Sequence, residues 1–517
     1  MYLTQGLHRA VQRHPQATAL SHRGESQTRR LSWLQLQQAV SQQAALLARQ
    51  GVMAGDRVAL LGGNSDRLIC AILACWWRGA VACPLNTRWT ATELRQALED
   101  STPGAFWCDE ALAELATTAS TGLALTPLGF TEVATQAAAC EPLADTRTGG
   151  EALAALLYTG GTTGRSKGVM LTHANFWSAS VSRAAELPNP PDGVSLLVAP
   201  LFHVAGLGRL IGQQIAGAPC VTLPAFRADA VLEAIVDEHI GDIIFVPSML
   251  QMLLDHPGFD AAAVQSLKRI AFGAAPMPPD LLQRALATWP QAEFFQAYGM
   301  TETAGAVCIN LPEAQRAGTR SGSVGRAGLG AEIRIVDAAG QDCAPGTVGE
   351  IIVRGPMVTS GYWRQPEASA QALRNGWLHT GDGGHIDGEG WLTLVDRLKD
   401  MIISGGENVY SAEVEAALRA HDEVADAAVI GLPDARWGER VCAVVVRRGG
   451  LPADQTAQQA FAEQLQAWCR ERLAGYKCPR QVFCLDALPL SAAGKVLKTS
   501  LRAQFRETPS QPGPAHG

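Results

Sequence analysis

Short apolar strands alternate with turns of small residues and with helices over the greater part of the chain. The segment RVALLGGNS (57–65) has the pattern of a buried strand followed by a turn, and RLICAILACWWRGAV (67–81) has that of a buried helix. The alternation continues through IGDIIFVPS (240–248) and LKRIAFGAAP (267–276), where apolar strands end in small residues. This order predicts an α/β fold in which mostly parallel sheets are flanked by helices. In such folds, ligands bind in the crevice at the carboxyl ends of the strands.

The character of the sequence changes after about Gly390, where the elements become shorter and more charged. Among them, SAEVEAALRAH (411–421) has the apolar spacing of an amphipathic helix, with Ser411 as its expected N-cap. The segments DAAVIGL and RVCAVVVRR that follow are typical of strands. The sequence therefore predicts a second domain of α+β type.

We place the domain boundary near Arg397 and Lys399. A large N-terminal domain is expected over residues 1–397 and a small α+β C-terminal domain over residues 398–507. The last residues, 508–517, are polar and rich in proline, which is typical of a disordered tail.

Composition and charge indicate which kinds of partner and which cellular compartment to expect. The chain has 517 residues, is 47% hydrophobic and carries a formal net charge of -7. An excess of acidic residues argues against a nucleic-acid or anionic-membrane partner. The twelve cysteines are scattered without a CxxC pair, and the N-terminal sequence lacks the apolar run of a secretory signal. Together these features indicate reduced thiols in a cytoplasmic protein without a transmembrane segment.

The stretch YTGGTTGRSKGV (158–169) has the composition of a phosphate-binding loop. Its glycines let backbone N–H groups approach an anion closely, its threonines add hydroxyl donors, and its lysine supplies a mobile positive charge. The Walker spacing G-x4-G-K-[ST] is not met in any register. The candidate phosphate-binding residues are Thr159, Gly160, Gly161, Thr162, Thr163, Gly164 and Lys167.

This stretch resembles the phosphate-loop signature of the adenylate-forming acyl-CoA synthetase family, commonly written YTSGTTGxPKGV. Two positions depart from that wording, because Gly160 replaces a serine and Ser166 replaces a proline. The first departure removes a hydroxyl donor but keeps the backbone amide, and the second loosens the loop. The threonines and Lys167 are retained, so the resemblance implies binding of the ATP phosphates.

Further segments are similar to motifs of the same family and occur in the same order. They are FGAAP (272–276), QAYGMTE (296–302), GEIIVRGPMVTSGYW (349–363), HTGDGGHIDGEGWL (379–392), DRLKDMIISGGENVY (396–410) and LPLSAAGKVLK (488–498). We interpret the third of these as structural. Several independent motifs in order carry the resemblance from the glycine-rich loop to Lys498.

The resemblance assigns roles to individual residues of these motifs. Tyr298 would stack on the adenine, Thr301 would contact the α-phosphate and Glu302 would bind Mg²⁺. Asp382 would accept hydrogen bonds from the ribose hydroxyls, with Arg397 as a second ribose contact. The residues implied on the adenine side are Ala274, Ala275, Pro276, Tyr298 and Gly299.

The implied activity is that of an AMP-forming acid–CoA ligase that uses ATP, Mg²⁺ and coenzyme A. A carboxylate attacks the α-phosphorus of ATP to give an acyl adenylate and pyrophosphate, and the coenzyme A thiol then gives a thioester and AMP. Two anions meet in the first step, so positive charge is required, from Mg²⁺ on Glu302 and from Lys495, which would bridge the carboxylate and the α-phosphate. Between the steps the family rotates a mobile C-terminal domain about a hinge, here Lys399, which would bring Gly406 to the pantetheine tunnel.

The segment PLFHVAGLGRL (200–210) resembles the part of the family that lines the acyl pocket, with His203 near the reacting carboxylate. Relatives that activate amino acids carry an aspartate directly after the phenylalanine of this segment, whereas Phe202 is followed here by His203. A buried ammonium group without a carboxylate would be costly, which argues against amino acids. Arg209 either lies at the pocket mouth or pairs with a second carboxylate. Small residues are expected to leave room for a bulky acid, namely Gly206, Gly208, Gly273, Ala297 and Gly299.

The predicted substrate is an apolar monocarboxylic acid, with a fatty acid favoured and an aryl acid of the cinnamate or ferulate type as the alternative. A dicarboxylic acid takes their place if Arg209 faces the pocket. Two other classes remain open, a phosphotransferase and a non-catalytic nucleotide-binding relative. The failed Walker spacing counts against the first, and the retained motif residues count against the second. The expected partners are a small-molecule carboxylic acid, ATP and coenzyme A, and a homo-oligomer is left open.

Overall fold

The structure is a computed structural model that describes residues 1–24, 27–159, 166–188, 193–275, 277–318, 320, 322–398, 400–404, 407–434, 436–451, 454–491 and 495–506. Its contacts divide the chain into two compact units. One consists of Met1–Ile333 and Val353–His379, and the other of Arg334–Ile352 and Thr380–Gly517. This division groups Arg397 with the C-terminal residues. The boundary predicted near Arg397 and Lys399, and the predicted disordered tail, stay predictions, because Lys399 and residues 508–517 lie outside the described residues.

The larger sheet of the first unit is mixed, with parallel strands in its centre and antiparallel strands at both edges. Its apolar core includes the fully buried rings of Phe245, Phe272, Trp289 and Phe294. Parallel strands that are covered on both faces are apolar throughout, which explains the continuous apolar runs. The strands, from one edge to the other, are Arg326–Ala327, Gly305–Asn310, Glu293–Met300, Arg269–Gly273, Ile240–Phe245, Val194–Leu197, Cys220–Thr222, Thr18–Arg23 and Thr28–Ser32.

A second sheet of the same unit is parallel except at one edge. The antiparallel pair at that edge is the one that flanks the glycine-rich loop. Phe106, Leu156 and Tyr158 belong to the apolar core of this sheet. Its strands in spatial order are Pro127–Gly129, Ala105–Cys108, Arg57–Leu61, Val81–Leu85, Leu153–Thr159 and Lys167–Thr172.

Polar caps and glycines determine where several helices of this unit begin and end. Ser32 and Gln35 form a capping box at the start of one helix, and Ser65 caps the buried helix Asp66–Arg78, which ends at the left-handed Gly79. The α-helices are Gln5–Arg13, Trp33–Arg49, Asp66–Arg78, Ala91–Ser101, Ala113–Ser120, Phe130–Ala138, His173–Glu186, Val204–Ala216, Ala228–Asp237, Pro247–Leu254, Pro279–Thr288, Pro312–Ala317 and Pro366–Ala372.

The chain from residue 332 to residue 397 supplies the strands of another sheet. In it, Asp382 and Arg397 are direct cross-strand partners of an antiparallel pair. The strands are Glu332–Val336, Gly349–Arg354, Leu373–Arg374, Trp377–Ile386 and Leu392–Arg397.

The C-terminal residues form a separate α+β arrangement. Its helices are Ser411–Arg419, Gln455–Arg470 and Lys498–Phe505, and its strands are Ile402–Ser404, Glu407–Val409, Val424–Asp434, Gly438–Arg447 and Gln481–Cys484. Val414 and Leu418 are buried against this sheet, as the amphipathic spacing predicts. The expected N-cap role of Ser411 is wrong, because Tyr410 occupies the cap and the Ser411 hydroxyl donates a hydrogen bond to Asp396 instead.

These elements confirm the predicted α/β class with a large N-terminal part of mostly parallel sheets and a smaller α+β part. Within the described portion of the chain, no helix combines the length and the apolar character that a membrane crossing requires.

Candidate active site

The glycine-rich loop is held by an antiparallel pair of strands. Thr159, at the end of Leu153–Thr159, lies opposite Lys167, at the start of Lys167–Thr172. The two ends of the loop are therefore close together. The predicted phosphate-binding residues between them lie outside the described residues: Gly160, Gly161, Thr162, Thr163 and Gly164.

Residues 359–363, which we call the crossover segment, run antiparallel to the second of these strands. Tyr362 pairs with Val169, and the Trp363 backbone N–H donates to the Gly168 carbonyl at 2.8 Å. An added Cβ at Gly168 would lie 3.3 Å from the Tyr158 ring and 3.4 Å from the Trp363 Cβ. A glycine here therefore allows the crossover segment to approach the stem of the loop closely.

Glu302 lies in a short turn, Thr301–Thr303, that follows the strand Glu293–Met300. The Thr303 hydroxyl closes this turn by accepting from the Met300 N–H at 3.0 Å and donating to the Gly305 carbonyl at 2.6 Å. The Glu302 residue is only 6% exposed. A nearly buried carboxylate needs a polar partner.

The crossover segment supplies that partner. The Tyr362 hydroxyl donates to Glu302 Oε1 at 2.9 Å, and the Thr359 N–H donates to the Glu302 carbonyl at 2.7 Å. Lys167 Nζ lies 4.9 Å from the centroid of the Tyr362 ring, within range of a cation–π interaction. The structure thus brings together Lys167 and Glu302, which are distant in sequence, through Tyr362.

The motifs predicted to flank the adenine lie on neighbouring parallel strands. Gly273 pairs with Ala297, so the residues that follow each strand lie at the same edge of the sheet. Ala274 has a left-handed backbone with φ 64, a conformation that non-glycine residues adopt rarely. Tyr298 is buried, and its stacking on an adenine stays a prediction. Pro276 lies outside the described residues.

The two predicted ribose contacts lie together in the C-terminal unit. Arg397 Nε is 2.6 Å from Asp382 Oδ1, and the Asp382 side chain is 10% exposed. The Asp382 carboxylate, which accepts hydrogen bonds, therefore lies next to the Arg397 guanidinium, which donates them. The ion pair fits the predicted recognition of hydroxyl groups, and the role itself stays a prediction.

The backbone of Lys495 is hydrogen-bonded to Ser491 shortly before the last helix, Lys498–Phe505. The Ser491 N–H donates to the Lys495 carbonyl at 2.7 Å, and the Lys495 N–H donates to the Ser491 hydroxyl at 3.1 Å. Lys498, at the start of that helix, is anchored to Glu415 at 2.7 Å. The predicted hinge residue Lys399 and the predicted tunnel residue Gly406 lie outside the described residues.

His203 occupies the N-cap position of the helix Val204–Ala216. Its ring packs against Phe202 with centroids 5.0 Å apart. The backbone just before it is fixed by the buried Asn64, whose amide donates to the Ala199 carbonyl at 2.9 Å and accepts from the Leu201 N–H at 2.9 Å. Sequence reasoning treated the segment around Asn64 as a plain turn and so missed this contact with the predicted acyl-pocket segment.

The positive charge of Arg209 is balanced by a carboxylate of the protein and needs none from a substrate. Its guanidinium is buried and forms an ion pair with the buried carboxylate of Asp242, and Arg209 Nε donates to the Ser195 hydroxyl at 3.1 Å. Burial lowers the pKa of Arg209, and Asp242 compensates the buried charge. The side chain is 5% exposed, which argues against the alternative that places Arg209 at a pocket mouth.

Most of the small residues assigned to the acid pocket are small for another reason. An added Cβ at Gly206, Gly273 or Gly299 would lie within 2.5 Å of a backbone carbonyl oxygen. These glycines permit close approach of two backbone segments, so the interpretation that they leave room for a bulky acid is wrong. At Gly208 the nearest atom to such a Cβ is the Ala304 carbonyl oxygen at 3.6 Å, which leaves this position consistent with the prediction.

Comparison with models of known protein families shows which family the chain belongs to. The model of the AMP-binding enzyme family matches residues 7–363, and the model of the AMP-binding enzyme C-terminal domain matches residues 413–495. The chain therefore belongs to the AMP-binding enzyme family, which confirms the resemblance inferred from its motifs.

Characterised relatives cover nearly the whole chain. It is 40% identical to feruloyl-CoA synthase from Amycolatopsis sp. over 96% of this chain and 98% of that protein. It is 37% identical to indoleacetate–CoA ligase from Aromatoleum aromaticum, over 92% and 93% of the two chains. It is 36% identical to the long-chain-fatty-acid–CoA ligase FadD13 of Mycobacterium tuberculosis, over 93% of this chain and 94% of that protein. The protein is an acid–CoA ligase of the AMP-forming class, and these relatives differ in the acid that their names specify.

Solved structures agree with the fold. ATP-bound MatB from Rhodopseudomonas palustris superposes with a TM-score of 0.89 at 31% identity, over 98% of this chain and 99% of that one. The o-succinylbenzoate CoA synthetase MenE from Bacillus subtilis, in complex with its acyl-adenylate intermediate, superposes with a TM-score of 0.86 at 34% identity, over 98% of both chains.

The buried ion pair of Arg209 gives a stability prediction. Arg209→Met should destabilise the protein by about 3–5 kcal/mol, because it leaves the Asp242 carboxylate buried without its counter-charge. The double variant Arg209→Met/Asp242→Leu should recover most of the loss. Free energies of unfolding from chemical denaturation measure both effects.

The exposed pair Arg284–Asp255, with a distance of 2.7 Å, provides the matched control. Arg284→Met should change the free energy of unfolding by less than about 1 kcal/mol. If Arg209→Met were no more destabilising than Arg284→Met, Asp242 would not be the partner that balances the Arg209 charge.

Proposed function

We propose that this acid–CoA ligase activates an apolar monocarboxylic acid, and that an aryl-propenoic acid of the cinnamate type is its preferred substrate. The observation that carries the first part is the buried Arg209–Asp242 pair. A guanidinium already neutralised inside the protein is poorly suited to bind a second substrate carboxylate. This removes the feature that had favoured a dicarboxylic acid.

The preference for an aryl acid rests on the relatives. The identity to feruloyl-CoA synthase is 40% and that to the fatty-acid ligase FadD13 is 36%. Indoleacetate, which the name of a third relative specifies, also combines an aromatic ring with one carboxylate. A fatty acid remains the second candidate because FadD13 matches over 93% of this chain.

The residues of the first unit fit a magnesium–ATP complex. Among the described residues, no group of three or more His, Cys, Asp or Glu side chains could hold a metal ion alone. Mg²⁺ commonly uses one or two carboxylates together with substrate phosphates and water, and Glu302 offers such a carboxylate. When bound, the ion would neutralise negative charge on the phosphates.

The remaining roles follow the chemistry of two anions that react. Lys167 and Lys495 would supply positive charge for the phosphates and the attacking carboxylate, Thr301 a hydroxyl to the α-phosphate, and Asp382 with Arg397 the recognition of the ribose. His203, beside Phe202, would lie at the acid. Mg²⁺ as a cofactor and a cytoplasmic location remain predictions, and the oligomeric state stays open.

A panel of carboxylic acids with ATP and coenzyme A tests the proposed substrate. Cinnamate-type acids should give the highest kcat/KM, with a weak dependence on alkyl chain length among fatty acids. Each buried methylene contributes about 0.8 kcal/mol, so a fatty-acid enzyme would instead show kcat/KM rising about fourfold per carbon. Thioester, AMP and pyrophosphate are the measured products.

Three outcomes of this panel would contradict parts of the proposal. A steep alkyl series without a preference for rings would replace the aryl acid by a fatty acid. Preference for a dicarboxylic acid would overturn the argument from Arg209. Release of ADP in place of AMP and pyrophosphate would indicate the phosphotransferase alternative.

The role of Lys495 gives a separate prediction about the two half-reactions. Lys495→Ala should reduce acid-dependent pyrophosphate release strongly while sparing thioester formation from a supplied acyl adenylate, because the charge is needed only when the two anions meet. Lys268→Ala, which removes an exposed lysine, is the control and should leave both rates unchanged. Equal loss of both half-reactions in Lys495→Ala would count against the assigned role.

A further inference from the structure

The crossover segment belongs to a motif that the sequence marks only as structural, yet it contacts two residues of the candidate phosphate site. We propose that Tyr362 is a positioning residue for Glu302, whose carboxylate its hydroxyl orients for the metal. This inference rests on the proposed role of Glu302 as the Mg²⁺ ligand.

The contact itself is specific to one oxygen of the carboxylate. The Tyr362 hydroxyl donates to Glu302 Oε1 at 2.9 Å. A hydrogen bond to an ionised acceptor is about twice as strong as a neutral one, and it restricts rotation of the carboxylate plane. Partners of this kind, which hold a metal ligand without touching the metal, tune metal affinity.

The position of Tyr362 is itself fixed by its backbone. Its N–H donates to the Ser369 hydroxyl at 2.8 Å, and its neighbour Trp363 donates to the Gly168 carbonyl at 2.8 Å. Gly361 has φ 129, a conformation that a side chain would strain. The hydroxyl therefore reaches Glu302 from a rigid support.

The ring of Tyr362 has a separable second contact. Lys167 Nζ lies 4.9 Å from the ring centroid. A phenylalanine keeps a ring in the same place and loses only the hydroxyl, so Tyr362→Phe removes the hydrogen bond to Glu302 while it keeps the ring beside Lys167.

A matched control is available in the same unit. The hydroxyl of Tyr158 donates to the Asp100 carboxylate at 2.7 Å. Tyr158→Phe therefore removes a buried hydroxyl from another carboxylate, close to the stem of the glycine-rich loop, without touching Glu302. The change in Mn²⁺ affinity in this variant measures the general effect of losing a buried hydroxyl group that is bonded to a carboxylate.

The experiment measures binding of Mn²⁺, a spectroscopic substitute for Mg²⁺, to the full-length protein with α,β-methylene ATP, which cannot form an adenylate. Electron paramagnetic resonance gives the metal affinity of the wild type and of Tyr362→Phe, Tyr158→Phe and Glu302→Gln. Tyr362→Phe should weaken Mn²⁺ binding about tenfold. Tyr158→Phe should leave the Mn²⁺ affinity unchanged, and thermal unfolding is recorded for every variant.

The variants separate failure of this inference from failure of the proposed site. If Glu302→Gln binds Mn²⁺ as tightly as the wild type, Glu302 is not the metal ligand and both claims fall. If Glu302→Gln weakens binding but Tyr362→Phe does not, only the positioning role is overturned. Equal weakening in Tyr362→Phe and Tyr158→Phe would show a general effect of lost hydroxyl groups and would also overturn it.

Discussion

The contacts of residues 359–363 bring together the described residues of the candidate phosphate site. On one side this segment pairs with the strand that starts at Lys167, and on the other it donates from Thr359 and Tyr362 to Glu302. The lysine and the carboxylate come from different sheets of the same unit. Their mutual distance therefore depends on a segment that carries no charge of its own. Charge placed in advance of the reaction is the main means by which such a site lowers the barrier between two anions.

Much of the fold could be predicted because its signals are local. Apolar runs that end in small residues indicated the parallel strands, and helical spacing placed Val414 and Leu418 on a buried face. The ordered motifs indicated the family, which the family models confirm. Pairing of Asp382 with Arg397 across two strands is consistent with the shared role that the resemblance implied.

Contacts between distant parts of the chain could not be predicted in the same way. No feature of the sequence around Arg209 marks Asp242 as its partner, and Asn64 lies in a segment with the composition of a turn. Glycines illustrate the same limit. At Gly206 and Gly299 a backbone carbonyl oxygen occupies the space that a side chain would need, and only the folded chain distinguishes this from a pocket. The partner of a buried charged residue is determined by the tertiary structure, which cannot be read from a single sequence.

The central claim is that Glu302 and Lys167 serve one magnesium–ATP site through Tyr362. A crystal structure of the protein with Mg²⁺ and α,β-methylene ATP tests it most directly. The account predicts that the Glu302 carboxylate binds the metal while still accepting from the Tyr362 hydroxyl, and that Lys167 contacts a phosphate oxygen. A structure in which the metal is held without Glu302, or in which Tyr362 leaves Glu302 when the nucleotide binds, would contradict it.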